Sequence, residues 1–278
     1  MARSRRLVTA VGLLAIGLLL LVQVAPAQGW TPIDWGQDPI SAQWVPEPPR
    51  MLPDPNPNLQ KPLGPCADAA TCMGWVQLTS YNFNGTSLSN SVWSTYNGTN
   101  PASGEHWSSA QCTLSEGVLT LAASSNGLCG LTALRQYTYG KFELRAKFSA
   151  PADPNLNPVF LLWPELDSTW PRAGEIDAIE DHDPTRTSLQ SWNHFADSNG
   201  QDMATYAGVY QVDMTQWHTY AIDWQRDYVT LYVDNVPWHV YTRHIPSGPM
   251  HPVIQIDATG PITSTASVEL DWFRTYRS

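Results

Sequence analysis

Basic residues are scarce in this sequence. Lys and Arg number 15 among 278 residues, against 25 Asp and Glu, giving a formal net charge of −10. Nucleic-acid backbones are held by basic patches, so no nucleic-acid partner is expected. Cysteine is sparse too, with four residues at 66, 72, 112 and 129. No Cys-x-x-Cys pair and no nearby histidine set accompanies them, which argues against zinc. There is no glycine-rich phosphate loop, no internal repeat and no helical run of ordinary length. The one long uncharged apolar run is Leu7 to Leu21.

That run follows Arg3, Arg5 and Arg6 and precedes the small-x-small triplet Ala25-Pro26-Ala27. The three-part pattern reads as an export signal over residues 1–27. The alternative is an uncleaved anchor, since 7–27 approaches the roughly 20 residues a membrane span needs. Cleavage would remove three positive charges and no negative ones, taking the net charge from −10 to −13. A secreted or cell-envelope location is expected, without membrane association after cleavage. An even cysteine count in an exported chain suggests two disulfides. Of the three pairings, Cys66–Cys72 and Cys112–Cys129 are favoured, because each closes a local loop.

Residues 28–74 hold the run WVPEPPRMLPDPNPNLQKPLGP. Proline removes backbone donors and fixes φ, so this segment is expected to be an extended arm or linker. From 75 to 278 the texture is all-β. GVLTLAAS, GKFELRAKFSA, WHTYAIDWQRDYVTLYVDN and SVELDWFRTYR alternate or nearly so, punctuated by Gly, Asn, Asp and Pro. In KFELRAKF, Phe142, Leu144, Ala146 and Phe148 share one face; Lys141, Glu143, Arg145 and Lys147 share the other. Such strands over this length predict two packed sheets, a sandwich. The chain also carries 13 Trp and 11 Tyr. Most are expected in the core, as Trp217 and Trp224 are, while flat rings also serve as platforms for sugars.

The stretch WPRAGEIDAIEDHD, 170–183, crowds Glu175, Asp177 and Glu180 along one strand. Residues 175 and 177 share a face, and 180 should point the other way. One bulge between them returns Glu180 to the acidic face and sends Ile176, Ala178 and Ile179 inward. Without it, Glu180 would be an unpaired carboxylate in the core, which is costly. Crowded carboxylates push their pKa values apart, as a paired acid and nucleophile require. A calcium site and a solvated acidic edge remain open on these residues alone.

GEIDAIE resembles the active-site strand of glycoside hydrolase family 16, Glu-x-Asp-x-x-Glu in its bulged form. The resemblance extends to YGKFELRAKF, to PVFLLWPELDSTWPRAGEIDAIE, to the hairpin at Val233-Asp234-Asn235, to VELDWFRTYR, and to the opening TSYNFNGTSLSNSVW. It covers about 75–278. It implies a β-jelly roll with a concave cleft and retention by double displacement, with Glu175 as nucleophile, Glu180 as acid and then base, and Asp177 as the supporting acid between them. The substrate class implied is a β-linked polysaccharide, cut internally at β-1,3 or mixed β-1,3/1,4 glucan bonds. The scaffold also serves galactan hydrolases, enzymes of sulfated algal polysaccharides and transglycosylases, and a non-catalytic carbohydrate-binding protein is a further reading. No cofactor is required for the chemistry. A structural calcium is implied at Asp271, and a monomer is expected. Trp163 and Trp170 flank the motif as stacking candidates, with Trp170 preferred on its loop; Trp192 is another. Two departures from the family affect the subsites. Gln190 stands where relatives carry a Thr-x-His histidine; either Gln190 replaces it, or His194, four residues on, approaches the cleft from a turn. Gln255 stands where relatives carry Asn.

Overall fold

The computed structural model describes residues 43–44, 68–100 and 103–278. The leader, most of the Pro-rich arm and Cys66 lie outside the described residues, so the expected signal segment and the Cys66–Cys72 bridge fall there. In chain order the structure forms β1 (Gln43–Trp44), helix α1 (Ala69–Met73), β2 (Gln77–Tyr81), β3 (Trp93–Thr95), β4 (Gly98–Thr99) and β5 (His106–Trp107). Next come β6 (Cys112–Ser115), β7 (Val118–Ser124), β8 (Gly127–Leu128), β9 (Gly130–Ala133), β10 (Gly140–Phe148) and β11 (Leu156–Pro164). β12 (Glu175–Glu180), β13 (Ser188–Ala196), β14 (Asp202–Gln211) and β15 (His218–Trp224) follow. The chain closes with β16 (Val229–Val233), β17 (Val236–Tyr241), β18 (Met250–Ala258) and β19 (Ala266–Tyr276).

These strands form the expected jelly-roll sandwich. One sheet runs β1-β14-β13-β12-β11-β18-β9-β3. The other runs β17-β16-β15-β10-β19-β7-β8-β5-β4, with β2 beside β19 and β6 beside β7. The strand bearing the acids is therefore flanked on both sides within the first sheet, away from its edges. Alternation decides what faces inward: Phe160, Leu162, Ile176, Ile179, Leu189, Ile254 and Ile256 of the first sheet meet Leu121, Phe142, Leu144, Ile222 and Phe273 of the second. Phe160 meets Phe273 edge-on at 6.2 Å across the gap. Burying each such side chain contributes about 1.5–3 kcal/mol.

Several local expectations are met. Val233 and Val236 flank a two-residue hairpin in which Asp234 and Asn235 take φ of 49° and 65°, as a tight turn of this hand demands. Cys112 and Cys129 form the expected disulfide. Trp224 is fully buried, its indole N–H donating to the Pro246 carbonyl at 2.9 Å.

Glu143 and Trp217 depart from expectation. Glu143, on the solvent face of β10 by parity, is fully buried. The segment at α1 covers it: the Ala69 N–H donates to both carboxylate oxygens at 3.0 and 3.1 Å, and the Tyr276 hydroxyl donates as well. Trp217 is half-buried outside the core, beneath the Arg145 and Lys147 cations at 5.0 and 5.1 Å. Asp271 is the residue skipped in the β10–β19 register, and it pairs with the Arg145 guanidinium.

Candidate active site

The strand β12 carries the acidic motif, and its start is fixed by Gly174. That glycine has φ of 82°, and a Cβ there would lie 2.7 Å from Pro246 Cγ, so other residues are excluded. The bulge is present where expected. β11 pairs Phe160 with Ile179 and Leu161 with Asp177, skipping Ala178, while β13 pairs Trp192 with Asp177 and Gln190 with Glu180. Ile176 and Ile179 point into the core and all three acids share the opposite face. The far end of the strand is clamped by a buried ion pair: Arg186 donates to Asp181 Oδ2 at 2.8 Å and to the Leu156 carbonyl at 3.1 Å.

The register sets each acid beside a different residue of β13: Glu175 beside His194, Asp177 beside Trp192, Glu180 beside Gln190. His194 lies within the strand rather than on a turn. Its Nε2 sits 3.4 Å from Asp177 Oδ2 and its Nδ1 3.0 Å from Asp202 Oδ1. Burial opposes a charge on this imidazole, but the Asp202 bond and the charge of Glu175 outweigh it and hold His194 up to about 9. His194 is therefore an imidazolium at neutral pH.

Burial pushes Glu175 up to about 7, opposed by His194, by Asp177 and by the Trp170 indole, whose N–H donates to Glu175 Oε2 at 2.8 Å. Burial, then the charges of Glu175 and Glu180, hold Asp177 well above the ordinary carboxyl range. Two ionised carboxylates cannot bond to each other, so the contact between Asp177 and Glu175 becomes a hydrogen bond once Asp177 keeps its proton. Glu180 Oε1 accepts from Asn157 Nδ2 at 3.2 Å and has His182 Nε2 at 3.2 Å. The arrangement can supply a nucleophile, a proton donor on the same face, and a neutral acid holding the two apart in charge.

Glu175, Asp177 and His194 also gather three metal-type ligand atoms within 4.8 Å of one another, the only such group among the described residues. Binding a cation there would require His194 and Asp177 to give up their protons.

The aromatic candidates take different places. Trp170 is half-buried, and one face stacks on Trp163 with ring centres 5.9 Å apart. Trp163 is only 4% exposed and bonds Asp167 through its indole N–H, so it backs Trp170 instead of offering a platform of its own. Trp192 is buried against Tyr206 at 5.2 Å. Gln190 is half-buried beside Glu180, and Gln255 lies two strands over, opposite Val159. Asp271 lies on the other sheet, away from this face. Asn157, His182 and Asp202 escaped the sequence reading. Asn157 had a signal, as a polar residue of acid-side parity in the otherwise apolar NPVFLLW; Asp202 had none, because nothing local ties it to His194.

The model of glycosyl hydrolases family 16 matches residues 99–274. The chain belongs to glycosyl hydrolase family 16. Within the family's reach, a glucan endo-1,3-beta-glucosidase of Cryptopygus antarcticus is 30% identical over 114 residues, covering 39% of this chain and 42% of that protein's length. The fold is shared with solved structures. The laminarinase catalytic domain of Thermotoga maritima superposes with a TM-score of 0.62 at 18% identity, over 73% of this chain and 98% of that one. The laminarinase of a Flavobacterium species gives 0.62 at 20% identity, over 72% and 100%.

Proposed function

We propose that this protein is an exported, endo-acting, retaining β-glucan hydrolase, with β-1,3 or mixed β-1,3/1,4 linkages as its substrate class. The observation that carries this reading is the bulge that sets Glu175, Asp177 and Glu180 on one face of β12, with Glu175 bonded by Trp170 and Glu180 bonded by Asn157. Glu175 attacks the anomeric carbon while Glu180 gives its proton to the departing oxygen. The C–O bond to the leaving sugar breaks as the ester to Glu175 forms. Glu180, now ionised, takes a proton from water; the hydroxide attacks the same carbon and frees Glu175, restoring the starting protonation. Two inversions leave the β configuration. The glucan preference is supported by what the curated relative is called, and export by the three-part leader.

The test compares wild type with Glu175→Gln and Glu180→Gln on β-1,3-glucan, mixed-linkage glucan, agarose and carrageenan, and on an aryl β-glycoside. Both variants should lose polysaccharide hydrolysis. Glu180→Gln should keep part of its first step on the aryl substrate and be rescued by azide to a β-azide product, whereas Glu175→Gln should yield α-azide. An inverted product from wild type, or near-normal polysaccharide hydrolysis by Glu175→Gln, would overturn the reading.

A further inference from the structure

Beside Glu180 the active face continues across β11 onto β18. Ile254, Ile256 and Ala258 point into the core, so Gln255 and Asp257 between them point to the face of the acids. Gln255 lies opposite Val159, which itself lies opposite Glu180; Asp257 lies opposite Asn157. Asn157 thus stands between Asp257 and Glu180, and its Nδ2 already serves Glu180 Oε1.

This patch is buried and unsatisfied. Asn157, Gln255 and Asp257 are at most 2% exposed. Asp257 Oδ1 is occupied, accepting from the Ala258 N–H at 2.8 Å and from Asn100 Nδ2. Its Oδ2 has no partner, nor have Asn157 Oδ1, Glu180 Oε2 or either amide atom of Gln255. Buried polar atoms are nearly always paired, and a concentration of exceptions beside a reacting group calls for an outside partner. Donors and acceptors are interleaved here, which matches vicinal sugar hydroxyls that both give and take hydrogen bonds. Among the described residues no cation bonds Asp257, and burial, with the charge of Glu180, favours its neutral form.

We propose that Asp257, with Asn157 and Gln255, forms a hydroxyl-binding subsite next to Glu180 that selects a neutral, unsulfated sugar ring. This rests on the hydrolase reading above and narrows it. A sulfate or uronate at that ring would bring an unpaired charge into a desolvated patch, which is costly. A neutral Asp257 can donate from Oδ2 to a ring hydroxyl while Oδ1 stays with Asn100 and the backbone.

The experiment measures binding without turnover, in a Glu175→Gln background, by calorimetry with neutral gluco- and galacto-oligosaccharides and with a sulfated counterpart. The neutral ligand should bind at least about 10-fold more tightly than the sulfated one. Asp257→Ala should weaken the neutral ligand roughly 10-fold, the worth of one good hydrogen bond in a buried site, with Tm held within a few degrees. Asp257→Asn, which keeps a donor at that position, should retain neutral affinity within about threefold. If Asp257→Ala fails to fold, Gln255→Ala carries the same test, since its amide holds no protein partner whose loss would unfold the site. Undiminished neutral affinity in folded Asp257→Ala or Gln255→Ala would overturn the proposal, as would equal binding of the sulfated ligand or no binding of any neutral one. Tight neutral binding alongside a wild type that never turns over polysaccharide would sink the hydrolase reading and leave the subsite standing.

Discussion

Replacing Asp202 by Asn should move the acid limb of the pH profile without removing any group that touches the reacting atoms. Asp202 holds Nδ1 of His194 at 3.0 Å and is the foremost contributor keeping that imidazole charged against burial, at about 9. An amide in its place keeps the shape and loses the charge. His194 should then fall to its ordinary 6.5 or below and be largely neutral above pH 7. The nucleophile feels the loss. Ligand atoms of His194 and Glu175 lie within 4.8 Å of one another. A unit charge at that range is worth about 1 kcal/mol in a water-like medium and about 3 kcal/mol at an effective dielectric near 20. That corresponds to roughly one to two pH units. Glu175 is raised to about 7 even with His194 charged beside it. Because the nucleophile must be ionised, losing the neighbouring cation raises its pKa and shifts activity to higher pH. The acid limb of kcat/KM on β-1,3-glucan should therefore rise by about one to two units, with a roughly 5- to 50-fold loss near pH 7 and little loss at pH 9. Reducing-end release between pH 4 and 9 measures this, read as the limb of a coupled cluster. A limb that stays within a few tenths of a unit, or an equal loss at every pH, would refute the assignment of His194 as an imidazolium supporting Glu175.

Glu143 gives a stability counterpart. Burial raises it to about 7 from 4.5 despite its bonds from Tyr276 and Ala69. A raised carboxyl favours the folded state fully below its unfolded value, and that advantage fades as pH climbs through 7. Glu143→Gln should remove this dependence, so that variant and wild type differ in relative stability by about 3 kcal/mol between pH 4 and 8; parallel denaturation curves across that range would contradict it. Removing the Cys112–Cys129 bridge, whose cysteines are 17 residues apart, should cost about 3 kcal/mol by loop entropy, visible as a lower Tm; four free thiols in exported protein would show that the bridge does not form. Intact mass or N-terminal sequencing of secreted protein should find a mature start at Gln28, whereas full-length chain confined to membranes would favour the anchor.

Much of this molecule was written locally. The two-residue period of KFELRAKF fixed which side of β10 enters the core, and the spacing of Glu175, Asp177 and Glu180 demanded a bulge because the alternative buried a lone carboxylate. The hairpin at Asp234-Asn235 and the Cys112–Cys129 pair were legible for the same reason: each depends on a short span of chain. What the sequence could not determine is which strand lies beside which, and at what register. That placed Asp202 on His194, Asn157 between Glu180 and Asp257, and the Trp170 indole on Glu175. It also turned Glu143, outward by parity, into a buried acid beneath α1, and left Trp217 outside the core under two cations. Parity is a property of neighbouring residues along a strand, so it can be read one residue at a time. The charge state of a carboxyl is a property of everything packed around it, and only the assembled sheets bring those groups within a few ångströms.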